Sequence, residues 1–279
     1  MDSLGPIREA RNDQGPLEIT YIGHATLLLR FGEYRFLTDP NFDSKLGAFL
    51  PRASAPGIKM AELPRIDAIL LTHAHADHLS FRSLRALQKD VPVYAPTAVA
   101  HWLRRSGINS AKPVAPGMSI RVGAVSISVG RARHMGARYV IDRWRGEAIT
   151  YLLDDGSMSA LFTGDTALSA AVSAISDQLA LRQLDVALLP IGHAPKWKEY
   201  FFRRGHLTPA DALSLFAQLN ARMLIPFHWG TFHHITSGPH DAIRVLRALL
   251  RTHDRASDVR ILEPGESLTV SPSGTAPTT

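Results

Sequence analysis

The stretch Thr72-His73-Ala74-His75-Ala76-Asp77-His78-Leu79 constrains this chain more than any other. Before it runs Asp67-Ala68-Ile69-Leu70-Leu71, a short apolar run that reads as a buried strand. After it, Ser80-Phe81-Arg82-Ser83-Leu84-Arg85-Ala86-Leu87 has helical spacing, with a serine placed to cap it. Four side chains of ligating type, His73, His75, Asp77 and His78, therefore sit where a strand hands over to a helix. Imidazole and carboxylate suit zinc and its neighbours. Residues two apart in extended chain face the same way, so His73 and His75 can grip one ion together. Asp77 and His78, where the chain turns into the helix, can point at a second. The alternative is a polar loop whose histidines only cap the next helix. Three histidines and one aspartate among residues 73–78 are too dense for that.

With 279 residues the chain can bury a substantial core, as one large α/β domain or two small ones. Lysine and arginine outnumber aspartate and glutamate 31 to 25, and the net charge of +6 favours an anionic substrate or surface. No cysteine is present, which excludes disulfides, thiolate ligands and a cysteine nucleophile. Met1-Asp2-Ser3-Leu4-Gly5-Pro6 lacks the basic and apolar parts of a signal peptide, and no apolar run reaches transmembrane length. A cytoplasmic enzyme is the expectation.

H-x-H-x-D-H after an apolar strand resembles the metallo-β-lactamase superfamily, matching its motif at every fixed position. The resemblance implies a single-domain α/β fold, a four-layer αββα sandwich, with a two-metal site at one edge of the sheets. The chain reads accordingly as a flexible lead-in over 1–16, a hydrolase domain over 17–270 and a disordered tail over 271–279. Strands are expected at 17–22, 26–31 and 34–37, where the turn Gly32-Glu33 joins the last two. His24 and Asp39, at strand ends, are expected to brace ligands from behind the site. Residues 41–65 read as a long irregular loop, either part of a substrate pocket or a surface flap. A helix over 97–106 is expected to be capped by Thr97, and a hairpin around Gly123 to deliver His134. Asp154-Asp155-Gly156 signals a second hairpin, leading to Gly164-Asp165. An Ala-rich helix over 168–181, an aromatic and basic connector over 192–206, a helix opening at Thr208-Pro209 and a strand over 259–262 complete the expectations.

The superfamily resemblance implies that His73, His75 and His134 hold one metal and Asp77, His78 and His228 a second, with Asp165 bridging. Two divalent ions follow, zinc foremost, with manganese or iron also suited to a nitrogen and oxygen site. Gly23-His24-Ala25-Thr26, Pro190-Ile191-Gly192, Pro195-Lys196-Trp197 and His228-Trp229-Gly230-Thr231-Phe232 narrow the likeness. Together they look like the branch that holds N-acyl-phosphatidylethanolamine-hydrolysing phospholipase D and ascorbate-6-phosphate lactonase-like proteins. That branch implies a phosphodiesterase whose nucleophile is a metal-bridging hydroxide, with Asp77 and Asp165 orienting it. Lys196, Trp197 and His206 would meet substrate, His206 also assisting the leaving group. A lactonase, or another ester or amide hydrolase with weak β-lactamase activity, is the alternative. The partner expected is a small or lipid-like anionic molecule, with peripheral membrane contact. Lys196, Lys198, Arg203 and Arg204 lie among Trp197, Tyr200, Phe201 and Phe202, a mixture fitted to an anionic headgroup and its apolar part. Nucleic acid is not expected, since the chain has no room for an inserted nuclease domain and no RNA-binding motif.

Overall fold

The computed structural model describes residues 15–47, 50–87, 90–139, 142–179, 182–233 and 237–272. Most of the expected lead-in and all but two residues of the expected tail lie outside these. The strands run in chain order β1 (Leu17–Gly23), β2 (Thr26–Phe31), β3 (Tyr34–Thr38), β4 (Lys45–Leu46), β5 (Leu50–Pro51), β6 (Ala68–Leu70), β7 (Val93–Pro96) and β8 (Ala111–Val114). Then follow β9 (Ser119–Val122), β10 (Val125–Arg131), β11 (Ile149–Asp154), β12 (Ser159–Phe162), β13 (Val186–Pro190), β14 (Met223–Phe227) and β15 (Ser267–Val270). One sheet has the order β15-β1-β2-β3-β6-β7-β8 and the other β14-β13-β12-β11-β10-β9, while β4 and β5 form a small hairpin.

Side-chain alternation builds the layers. Leu27, Leu29 and Phe31 of β2 join a core shared with the second sheet, while Leu28 between them faces the opposite way. That outer face is covered by α1 (Phe81–Ala86) and α2 (Thr97–Arg105), which contribute Leu84, Val99 and Leu103. The second sheet is covered by α5 (Pro209–Gln218) and α6 (Asp241–Leu250) through Phe216 and Leu246. Two helical layers thus enclose two sheets, the αββα sandwich that the motif implied. Between the sheets the Tyr151 hydroxyl donates to the carbonyls of Leu71 (2.9 Å) and Tyr94 (3.0 Å), one residue short of the Thr72–Leu79 stretch. Tyr151→Phe removes that shared donor and is expected to destabilise the fold by about 1–2 kcal/mol. A denaturant midpoint that falls at unchanged slope would register it, and an unmoved midpoint would deny it.

Several local expectations give way. The helix over 168–181 is instead α3 (Ala170–Ser173) followed by a 3₁₀ turn at Ala174–Leu179. Ser173 and Ser176 hydroxyls bond back to the carbonyls of Ala170 and Ser173, competing with the regular ladder. Thr97 is the first residue of α2 rather than its cap, and Pro96 precedes it. At 259–262 only a single bridge from Val259 to Leu224 forms. The 192–206 connector contains a helix, α4 (Lys196–Phe202), entered from Pro195 and tied down by buried Phe202. Ser80 and Thr208 do cap α1 and α5, and Thr208 forms a reciprocal box with Asp211. Among the described residues no helix is long and apolar enough to cross a membrane.

Candidate metal centre

Every ligand candidate follows the C-terminal end of a strand, so the candidates gather along one edge of the sandwich. His24 follows β1, Asp39 β3, His73 β6, His134 β10, Asp165 β12 and His228 β14. Past β6 the chain turns on itself through the amides of His78 and Leu79, which both donate to the His75 carbonyl at 3.1 and 2.8 Å. The Asn41 amide holds the outside of that turn by donating to the carbonyls of Ala76 (3.0 Å) and Asp77 (3.1 Å).

Two groups result. In one, ligand atoms of His73, His75, His134 and Asp165 all lie within 4.8 Å of one another; in the other, those of His24, Asp77, His78 and His228 do. His75 Nδ1 and His134 Nε2 approach to 3.0 Å. Asp165 stands between the groups, with Oδ1 at 3.5 Å from His78 Nε2 and 3.3 Å from His228 Nε2. Its Oδ2 faces the first group, 4.0 Å from His134 Nε2 and 3.4 Å from His206 Nδ1. His24 Nε2 lies 2.9 Å from Asp77 Oδ2, and the His24 ring packs 4.0 Å from that of His228.

The rings are aimed from behind. Asp39 accepts from the Thr72 amide (2.7 Å), the Thr72 hydroxyl (2.6 Å) and His78 Nδ1 (2.7 Å). His134 Nδ1 donates to the Gly205 carbonyl at 2.8 Å. Each contact fixes one ring nitrogen and leaves the other for the centre. Gly164, at φ 57°, approaches Thr72 so closely that a Cβ there would lie 2.5 Å from the Thr72 hydroxyl. Among the described non-glycine residues, positive φ occurs at His24 (57°), Asp39 (31°), His228 (71°) and Asn220 (47°). Asn220 ends a helix, whereas the other three belong to the centre, where strained backbone is held for function.

The electrostatics favour a cation. Burial holds His73 well below the ordinary histidine range and brings His134 down to about 3, so both rings are neutral with free lone pairs. Burial pushes the Asp165 carboxyl up, but His228 and His78 outweigh it and hold it well below the usual carboxylate range. Burial lowers His78, yet Asp165, Asp77 and Asp39 together draw it well upward, so positive charge is sought at this point. Buried His73 Nε2, His78 Nε2, His228 Nε2 and Asp165 Oδ1 have no hydrogen-bond partner. Orphaned buried polar atoms are rare, and four that converge fit a bound ion. An all nitrogen and oxygen donor set suits zinc, manganese or iron.

The family model of the beta-lactamase superfamily domain matches residues 34–229. The chain belongs to the metallo-β-lactamase superfamily. It stands among that superfamily's metal-dependent hydrolases: one from Solibacter usitatus is 30% identical over 90% of this chain and 98% of its own length. An N-acyl-phosphatidylethanolamine-hydrolyzing phospholipase D of Caenorhabditis elegans is 26% identical over 83% of this chain and 70% of its own. In fold, the chain is similar to the crystal structure of a possible metal-dependent hydrolase from Veillonella parvula. That likeness has a TM-score of 0.74 at 19% identity and covers 91% of this chain and 100% of the other.

For this superfamily member, the structure brings His73, His75, Asp77, His78, His134, Asp165 and His228 into one cluster. His24, expected behind the ligands, stands within reach of an ion itself, while Asp39 lies behind His78. His206 reaches the rim, stacked 4.8 Å from Phe202 and edge-on to His134. Lys196 and Trp197 lie on α4, whose Trp197, Tyr200 and Phe201 are 75%, 73% and 66% exposed rather than anchored in the core. Arg203 grips Asp211 through two bonds of 2.9 and 2.5 Å and so secures the start of α5. The 41–65 loop serves as a strap, with Ala53 N and the Ser54 hydroxyl bonding to the Thr231 and Gly230 carbonyls and Arg52 to that of Asn41. Sequence reasoning missed Asn41, Thr72 and Gly205 as supports. A polar residue directly after Asp39-Pro40, and the threonine that opens the histidine motif, were the available signals.

Proposed function

We propose that the chain is a dinuclear hydrolase of phosphodiesters. The observation that supports this most is Asp165, whose two carboxylate oxygens face different ligand groups. His73, His75 and His134 would hold one ion and Asp77, His78 and His228 the other, with Asp165 shared. Two bound divalent cations supply a water acidified toward neutral pH and offset negative charge that develops on substrate oxygen. Asp77 and Asp165, both held ionised, would accept hydrogen bonds from an attacking water and set its direction. His206, whose Nδ1 lies 3.4 Å from Asp165 Oδ2 at the rim, would assist the departing oxygen. The exposed aromatic residues of α4, together with Lys196 and Lys198, support an anionic, partly apolar substrate such as a lipid-like phosphodiester.

Elemental analysis of protein loaded with zinc or manganese is expected to approach two ions per chain. Reloaded protein that never exceeds one would end the dinuclear reading. In a panel of bis-p-nitrophenyl phosphate, a phosphatidylethanolamine, an acyl lactone and a β-lactam, the phosphodiesters are expected to have the highest kcat/KM. A preference for the lactone would install the lactonase in their place, since the same nucleophile attacks strained carbonyls.

A further inference from the structure

Beside the centre, Arg133, Lys196, Glu199, Tyr200, Arg203 and Arg204 line an open cleft of about 720 Å³. It is joined to the metal centre by covalent neighbours. Arg133 precedes His134, and Arg204 precedes Gly205, whose carbonyl accepts from His134 Nδ1. The cleft's charge is unbalanced. Arg203 is taken by Asp211 and lies 3.9 Å from Glu199, the one carboxylate of the lining. Arg133 donates once, from Nη1 to the Leu168 carbonyl at 3.2 Å, which leaves most of its guanidinium free. No hydrogen bond or ion pair among the described residues engages the side chains of Lys196 or Arg204. With Arg203 answered by Asp211, Arg133, Lys196 and Arg204 share the open volume with Glu199 alone, so positive charge is in excess there.

We infer that this cleft is a subsite for a second oxyanion of the substrate, a carboxylate or phosphate group lying beyond the bond that is cut. The inference rests on the hydrolase reading, which puts the scissile group over Asp165. Arg133 and Arg204 flank the cleft from two separate segments and offer planar forks, the geometry that takes carboxylate or phosphate bidentately. Lys196 adds a mobile charge from α4, and Tyr200 supplies a hydroxyl and a ring wall. A substrate with one charged end therefore binds in one direction only, which fixes which ester oxygen leaves.

The test is equilibrium binding, independent of turnover. Calorimetry on metal-loaded protein would compare 4-phosphonobutyrate with butylphosphonate, which keeps the phosphonate but lacks the carboxylate tail. The tailed probe is expected to bind more tightly, and Arg133→Ala and Arg204→Ala each to cut that preference about fivefold, the scale of one exposed ion pair. The double variant should nearly erase it, and roughly 0.5 M salt should weaken it in the wild type. Arg121→Ala, on the β9 hairpin, is the control expected to leave it in place. Equal affinities in the wild type, or a preference that survives in the double variant, would overturn the subsite. Butane-1,4-diphosphonate against 4-phosphonobutyrate distinguishes a phosphate-bearing from a carboxylate-bearing substrate. If no phosphodiester is turned over while the tail preference stands, the phosphodiester reading falls and the subsite remains.

Discussion

Asp165→Asn is expected to lower kcat on the order of 10³-fold and to reduce bound metal from two ions toward one. A loss of that size is the scale seen when a group that orders a whole centre is removed. The substitution keeps size and shape, so packing around this 2% exposed side chain should survive. What changes is charge and one acceptor. An amide presents an NH₂ to one of the two ligand groups, where the carboxylate sets one oxygen within 4.0 Å of ring nitrogens on each side. Two cations would then repel without a shared anion between them. Elemental analysis and single-turnover rates measure the two effects separately. Glu33→Ala, in the exposed turn between β2 and β3, should alter neither. Full metal content with wild-type turnover in Asp165→Asn would remove Asp165 from the bridge.

The centre was legible because its ligand types are concentrated at strand ends, and strand ends carry local signals. His73, His75, Asp77 and His78 sit in one run, and Gly164 marks the turn that releases Asp165. The caps at Ser80 and Thr208 were legible for the same reason, since a cap is decided by the next three residues. What escaped depends on partners far along the chain. Asn41 reaches residues 35 and 36 positions away, and nothing in its neighbours announces that. Arg203 lies in a basic, aromatic run, and nothing there announces that the carboxylate it grips is on the next helix. Helix α4 was hidden by its own composition: with Trp197, Tyr200 and Phe201 outside, its apolar residues do not mark the buried face.

Asp39→Asn is expected to weaken binding at the Asp77–His78–His228 group about 10- to 100-fold while leaving the fold nearly intact, the scale on which a lost outer contact reads out in metal affinity. The argument lies in the proton of His78. In the native protein Asp39 accepts from His78 Nδ1 at 2.7 Å, which places the ring proton on Nδ1 and leaves Nε2 bare toward the centre. The substituted side chain can still accept from the Thr72 amide through its carbonyl oxygen, as the carboxylate does at 2.7 Å. Its NH₂ then takes the position that faced Thr72 Oγ1 and His78 Nδ1. An NH₂ donates, so His78 must turn its Nδ1 lone pair to it and carry its proton on Nε2, where no ion can bind. Backbone strain does not obscure the result, because asparagine tolerates the positive φ of 31° found here. Asp39→Ala is the harsher companion: it strands the buried Thr72 donors and should cost about 1–3 kcal/mol of stability besides. Metal titration separates the cases, with one site weakened in Asp39→Asn and the thermal midpoint also lowered in Asp39→Ala. Wild-type affinity at both sites in Asp39→Asn would mean that His78 reaches the ion without its brace.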